Sequence, residues 1–186
     1  MGLITLIVFP VIGFFLLWFF EDYTIKGLIG TLELDRVVEV ITLIGIELGL
    51  LYGFFVVFVS QAPVFEKFAS PQMKMLKRLN LNWMDALFIS FCAGFGEEIL
   101  FRVCLQTWFG PWVTTFVFIA IHGYFSIKII QKNILGILLF PFILLISFGY
   151  EEFGFWFSVS AHFAYDFLMF MMVVGESKKM RLQQTS

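Results

Sequence analysis

The chain has 186 residues, of which 60% are hydrophobic and only 14% charged, with 27 phenylalanines. Apolar content this high argues against a water-soluble globular fold, and a formal net charge of −2 gives no basis for a nucleic-acid partner. A chain of this length fits one membrane domain, 1–186, with no separate extramembrane module.

In chain order, the first apolar run is Gly2 to Phe20. It has neither a basic stretch ahead of it nor a small-residue cleavage site, so it is expected to be a first span bent near Pro10, not a cleaved leader. The next runs are Val38 to Ser60, Trp83 to Phe109, Trp112 to Ser126, Asn133 to Tyr150 and Phe153 to Gly175. Each approaches the roughly 20 residues that a helix needs to cross a bilayer, although the fourth is short and has room to continue to Ile130. No stretch alternates apolar and polar residues, which argues against a barrel. The expected fold is an all-α, polytopic transmembrane helical bundle of about six spans.

Between the second and third runs, Ser70 and Pro71 read as an N-cap and first helical residue. They would open a short amphipathic helix, with Met73, Leu76 and Leu79 against Lys74, Lys77 and Arg78, lying along the membrane interface. Asn82 and Asp85 then form a capping pair for the third span. Cys92 and Cys104 lie 12 residues apart in one run. In a straight helix that is roughly 18 Å, too far for a disulfide.

Lys67, Lys74, Lys77, Arg78, Lys128, Lys132, Lys178, Lys179 and Arg181 all fall on one side of this topology. Only Lys26 and Arg36 fall on the other, beside Glu21, Asp22, Glu33, Asp35, Glu151 and Glu152. The bias predicts a multi-pass protein with both termini cytoplasmic, in a bacterial or archaeal plasma membrane.

Apart from Glu39, Glu47 and Asp85, six acidic or basic residues interrupt the apolar runs: Glu97, Glu98 and Arg102 in the third, His122 in the fourth, and His162 and Asp166 in the sixth. Each charge at mid-membrane depth costs about 2.5 to 3.5 kcal/mol on insertion scales, so several at one depth point to use. Glu98 and Arg102, four residues apart, can neutralise each other, whereas Glu97 points away and has no partner on its own helix. His162 and Asp166 share a face by the same spacing. Counted along their helices, Glu97, His122 and His162 all lie roughly 13 to 18 Å below the outer surface, so three helices can bring them together. Gly94 and Gly96 would let a neighbouring helix approach closely. A carboxylate beside two imidazoles is equipped to activate water, with Glu97 as general base. Glu39 and Glu47 are expected to be interfacial or buried, hydrogen-bonded groups, Glu47 deep enough to neighbour the site.

Glu97-Glu98-Ile99-Leu100-Phe101-Arg102 matches EExxxR, Phe118 to His122 matches FxxxH, and His162 to Asp166 matches a His followed four residues later by Asn or Asp. In this order the three resemble the CPBP family of intramembrane proteases, which includes CAAX prenyl endopeptidases and bacteriocin-processing proteins. The resemblance spans about Trp83 to Gly175, the expected catalytic core. It implies peptide-bond hydrolysis inside a helical bundle. Glu97 would be the base, His122 would help to hold the attacking water, and His162 with Asp166 would line the oxyanion side. Glu98 and Arg102 would support them. Asp166 stands where the prenyl endopeptidases more often have Asn. The implied partners are the lipid bilayer and a peptide or protein substrate with a membrane-associated C-terminal or precursor segment.

A zinc ion held by Glu97, His122, His162 and Asp166 is the alternative to glutamate-only chemistry, but no HExxH motif supports it and no cofactor is the expectation. Two other classes compete. A proton-linked transporter could use the same charges as a relay, but no inverted repeat is present. A non-catalytic immunity or scaffold protein would bind a membrane peptide without cutting it. The order of the acidic motifs does not fit an aspartyl intramembrane protease, and the lack of a Gly-x-Ser-Gly segment does not fit a rhomboid-type serine protease.

Overall fold

The computed structural model describes residues 2–32, 38–60, 81–125 and 130–185, and these contain helices and no strand. In order they are α1 (Gly2–Glu21), α2 (Ile25–Thr31), α3 (Val38–Ser60), α4 (Trp83–Glu98), a π-helical segment (Ile99–Leu105), α5 (Gln106–Ile121), α6 (Ile130–Phe153) and α7 (Phe155–Thr185). Among the described residues, α1, α3, α6 and α7 are each long and apolar enough to cross a membrane alone. The chain is a helical integral membrane protein. The helix α2, the π segment and the extension of α7 past Gly175 go beyond the sequence expectation. The expected interfacial helix around Ser70 to Leu79 lies outside the described residues.

The third apolar run begins at the capping pair. Asn82 accepts from the backbone N–H groups of Met84 and Asp85, and Asp85 accepts from that of Asn82. The run passes through α4 and the π segment into the first turn of α5, then breaks at Gly110. There φ is 68° and ψ 174°, a conformation open to glycine, and Pro111 has no N–H with which to continue the ladder. The rest of α5 returns through the bundle and stops at Ile121, short of the expected Ser126. Gly123 (φ 73°) ends it: its N–H donates to Ala120 O, and that of Tyr124 donates to Ile119 O. This paired reversal satisfies the last carbonyls of the helix and needs the left-handed backbone that glycine supplies. His122 is therefore the cap of a short helix, not a residue inside a longer one.

Small residues set the helix contacts, as expected where lipid removes the hydrophobic drive for association. A Cβ on Gly96 would meet Thr5 O of α1 at 2.5 Å, and one on Gly94 would meet Val159 O and Phe163 N of α7 at 3.1 Å. Both expected close approaches are present. Gly45, Gly49 and Gly53 seat α3 on α7, against Phe157 O, Ala161 O and the Leu168 side chain respectively.

The order of these contacts gives the helix directions. Gly2, Gly96 and Gly13 place α1 parallel to α4, and the three α3 glycines place α3 parallel to α7. Contacts of Gly94 with Phe163 and of Phe95 with Phe155 make α4 antiparallel to α7. The start of α1 and the end of α7 thus lie at one end of the bundle. At the opposite end Trp108 Nε1 donates to Glu21 Oε1 (2.7 Å), and Trp156 Nε1 donates to Leu32 O (3.3 Å).

Candidate active site

The six singled-out residues converge where α4, the π segment, α5 and α7 meet. Glu97 and Glu98 end α4, and Arg102 stands in the π segment. His122 caps α5, and His162 and Asp166 follow one another along a face of α7.

Two imidazoles and three carboxylates form one pair, Glu97 with His122, and one chain of contacts, Glu98 with His162 and Asp166. In the first, His122 Nδ1–H donates to Phe118 O at 2.7 Å, since a carbonyl only accepts. This turns Nε2 toward Glu97, whose Oε2 is 3.3 Å away. Despite that proximity, Glu97 Oε2 is, among the described residues, a buried acceptor without a hydrogen-bond donor.

In the second, Glu98 accepts from Arg102 Nε through Oε2 and from His162 Nδ1–H through Oε1, each at 2.9 Å. His162 Nε2 then faces Asp166 Oδ2 at 3.6 Å. The expected Glu98–Arg102 pair is present, but Glu98 is also bound directly to His162, which depth along the helices groups with Glu97.

Exposure divides the six. The side chains of Glu98 and Arg102 are 0% exposed and that of His162 is 6% exposed. Those of Glu97, Asp166 and His122 are 11%, 23% and 31% exposed. Glu98 and Arg102 cannot touch a substrate in this arrangement, whereas Glu97, His122 and Asp166 can.

Phe118 organises the two histidines. Its buried ring stacks on His122 (centroids 4.2 Å apart, planes at 22°) and meets His162 edge-on at 5.7 Å. The Arg102 guanidinium carbon lies 5.8 Å from the same ring centre, and Phe101 closes it from another side at 4.8 Å. The spacing of four residues between Phe118 and His122 is the sequence signal for this stack. Contacts reaching across helices have no such signal.

Glu47, read from the sequence as an interfacial or buried group deep enough to neighbour the site, is exposed on α3. Its neighbours Gly45 and Gly49 occupy the face against α7, so a helical turn carries Glu47 away from it. Among the described residues, no group of three or more His, Cys, Asp or Glu side chains is disposed to hold a metal ion. Cys92 and Cys104 are buried and unpaired with each other.

A profile of the family described as type II CAAX prenyl endopeptidase, Rce1-like, matches residues 79–168, a stretch that contains all six side chains. The match, over just under half of the chain, supports membership of the CPBP family. No curated protein and no solved structure matches the chain. This similarity supports a CAAX-type intramembrane protease in the general sense, with a membrane environment and a peptide or protein substrate. The matched segment runs from the residues just before α4 into α7, while α1 and α3 pack against it from outside.

Proposed function

We propose that the chain is an intramembrane endopeptidase, with water activated by Glu97, that cuts a peptide bond in a membrane-associated protein or peptide precursor. The observation that carries this reading is the buried, unbonded Oε2 of Glu97 beside His122 Nε2. A buried acceptor without a donor is costly, and a water held between the carboxylate and the imidazole relieves it at the point where attack would begin.

In the proposed reaction Glu97 takes one proton of that water as its oxygen bonds to the carbonyl carbon. The carbonyl π electrons move onto oxygen, and His162, as an imidazolium held between the Glu98 and Asp166 carboxylates, donates from Nε2 to the oxyanion. Collapse re-forms the carbonyl and breaks the C–N bond while Glu97 returns its proton to the leaving nitrogen. The products are a carboxylic acid and an amine. Asp166 faces His162 Nε2 and fixes its ring, a role that an acid fills as well as an amide. Glu98 and Arg102 remain supporting groups.

We propose that no metal takes part. The imidazole Nε2 atoms each face a carboxylate, at 3.3 and 3.6 Å, and among the described residues no three His, Cys, Asp or Glu side chains are disposed to hold an ion. Purified protein in nanodiscs should keep its activity in 1,10-phenanthroline and contain no stoichiometric metal; loss of activity restored by zinc would overturn this.

The decisive experiment is comparative membrane proteomics of cells carrying the wild type, Glu97→Gln or a deletion, with abundance and folding matched. General-base removal should slow processing by about 100- to 10,000-fold, so specific precursors accumulate in the Glu97→Gln cells. If no precursor accumulates and Glu97→Gln still rescues the deletion, Glu97 is not catalytic and a binding or immunity role replaces the protease.

A further inference from the structure

Beyond the six motif residues, a polar cluster that is buried except at Glu151 connects Arg102 to α5 and α6. Arg102 Nη1 donates to Ser147 Oγ at 2.6 Å and to Gln106 Oε1 at 3.3 Å. Gln106 is itself held, because its Nε2 donates to Ser147 O at 2.9 Å and to Glu151 Oε1 at 3.1 Å. Ser147 Oγ donates to Ile143 O at 2.9 Å and lies 3.0 Å from Thr115 Oγ1. With the serine proton spent on Ile143, the Thr115 hydroxyl is the donor in that contact. Ser147 Oγ thus gives one hydrogen bond and receives two, its full capacity.

We infer that Gln106 and Ser147 are positioning residues for His162, acting through Arg102 and Glu98. Each link is a bond already described: Ser147 and Gln106 fix the guanidinium, the guanidinium fixes Glu98 Oε2, and Glu98 Oε1 holds His162 Nδ1. Because Arg102 Nη2 makes no hydrogen bond among the described residues, its orientation rests on Nε and Nη1, and two of its three bonds go to Gln106 and Ser147. The inference rests on the proposed protease function, since it assigns His162 a ring position that matters for turnover. A misplacement of about 1 Å originating away from the reacting atoms can cost roughly 100-fold in rate.

The test uses Ser147→Ala, Ser147→Thr and Gln106→Met as full-length protein in lipid nanodiscs, with Glu97→Gln in parallel. The probe is the precursor that accumulates in Glu97→Gln cells. Ser147→Ala and Gln106→Met should lose about 10- to 100-fold in kcat per folded molecule with KM unchanged, and Ser147→Thr, which keeps the hydroxyl, should recover most of the loss. Wild-type kcat in folded Ser147→Ala or Gln106→Met overturns the inference, as does a loss that only tracks the folded fraction. If Glu97→Gln cells accumulate no precursor, the protease function falls and the inference with it; if Glu97→Gln is inactive while the other variants turn over normally, the inference alone falls.

Discussion

Glu97 and Glu98 are adjacent in sequence and opposite in environment. Glu98 is sealed among Arg102 and His162, while Glu97 reaches an accessible face with one oxygen unbonded. Their amide substitutions should therefore separate. Glu98→Gln leaves a buried guanidinium without its counter-charge and is expected to cost about 3 to 5 kcal/mol, seen as loss of folded protein and a lowered melting temperature in detergent. Glu97→Gln should melt close to the wild type and fail in turnover. Phe118 makes a second contrast. Truncation to Ala removes a buried ring packed on Phe101, His122 and His162, at about 3 to 5 kcal/mol, whereas Phe118→Leu keeps much of the volume but loses the stack. Thermal unfolding and turnover measured together should show the Phe118→Leu protein folded but slow. The Glu98–Arg102 and His162–Asp166 pairs were legible because spacing of four residues is local helix geometry. The Glu98–His162 bond was not, since it depends on how α4 and α7 rotate about their axes.

At the scale of elements, two turns fix the site. The Gly110–Pro111 break sends the chain back, and Gly123 ends α5 at the point where His122 can face Glu97. Gly123→Ala puts a side chain on a left-handed backbone, at roughly 1 to 2 kcal/mol, and should lower activity more than the global stability loss explains. Parallel melting and processing assays check it. The α3–α7 contact is tighter still: a Cβ on Gly49 would lie 2.2 Å from Ala161 O, one residue from His162. Gly49→Leu is expected to separate the two helices and abolish folding or activity, read by detergent-resistant yield and protease accessibility. The four-residue spacing of Gly45, Gly49 and Gly53 is a sequence signal for this contact that only the structure brought to notice. The π segment, which carries Arg102, had no comparable signal in the sequence.

At the scale of the molecule, alternating helix directions bring the two chain ends to one end of the bundle, and the basic residues make that end the proposed cytoplasmic side. A green fluorescent protein fused after Ser186 should fluoresce, as it does when folded in the cytoplasm; a dark fusion beside an active periplasmic phosphatase fusion would invert the topology.

Composition and the lack of apolar–polar alternation together determined that this is a helical membrane protein, because hydrocarbon admits only helices or closed barrels and a barrel needs that alternation. Charge spacing within each helix determined which side chains share a face, because helix periodicity is local. The tertiary structure decided which oxygen meets which nitrogen, where α5 stops, and that Gln106, Thr115 and Ser147 join Arg102. Those outcomes depend on the rotation and approach of whole helices, set by glycine contacts and by the need to satisfy a buried guanidinium, which no single stretch of sequence contains.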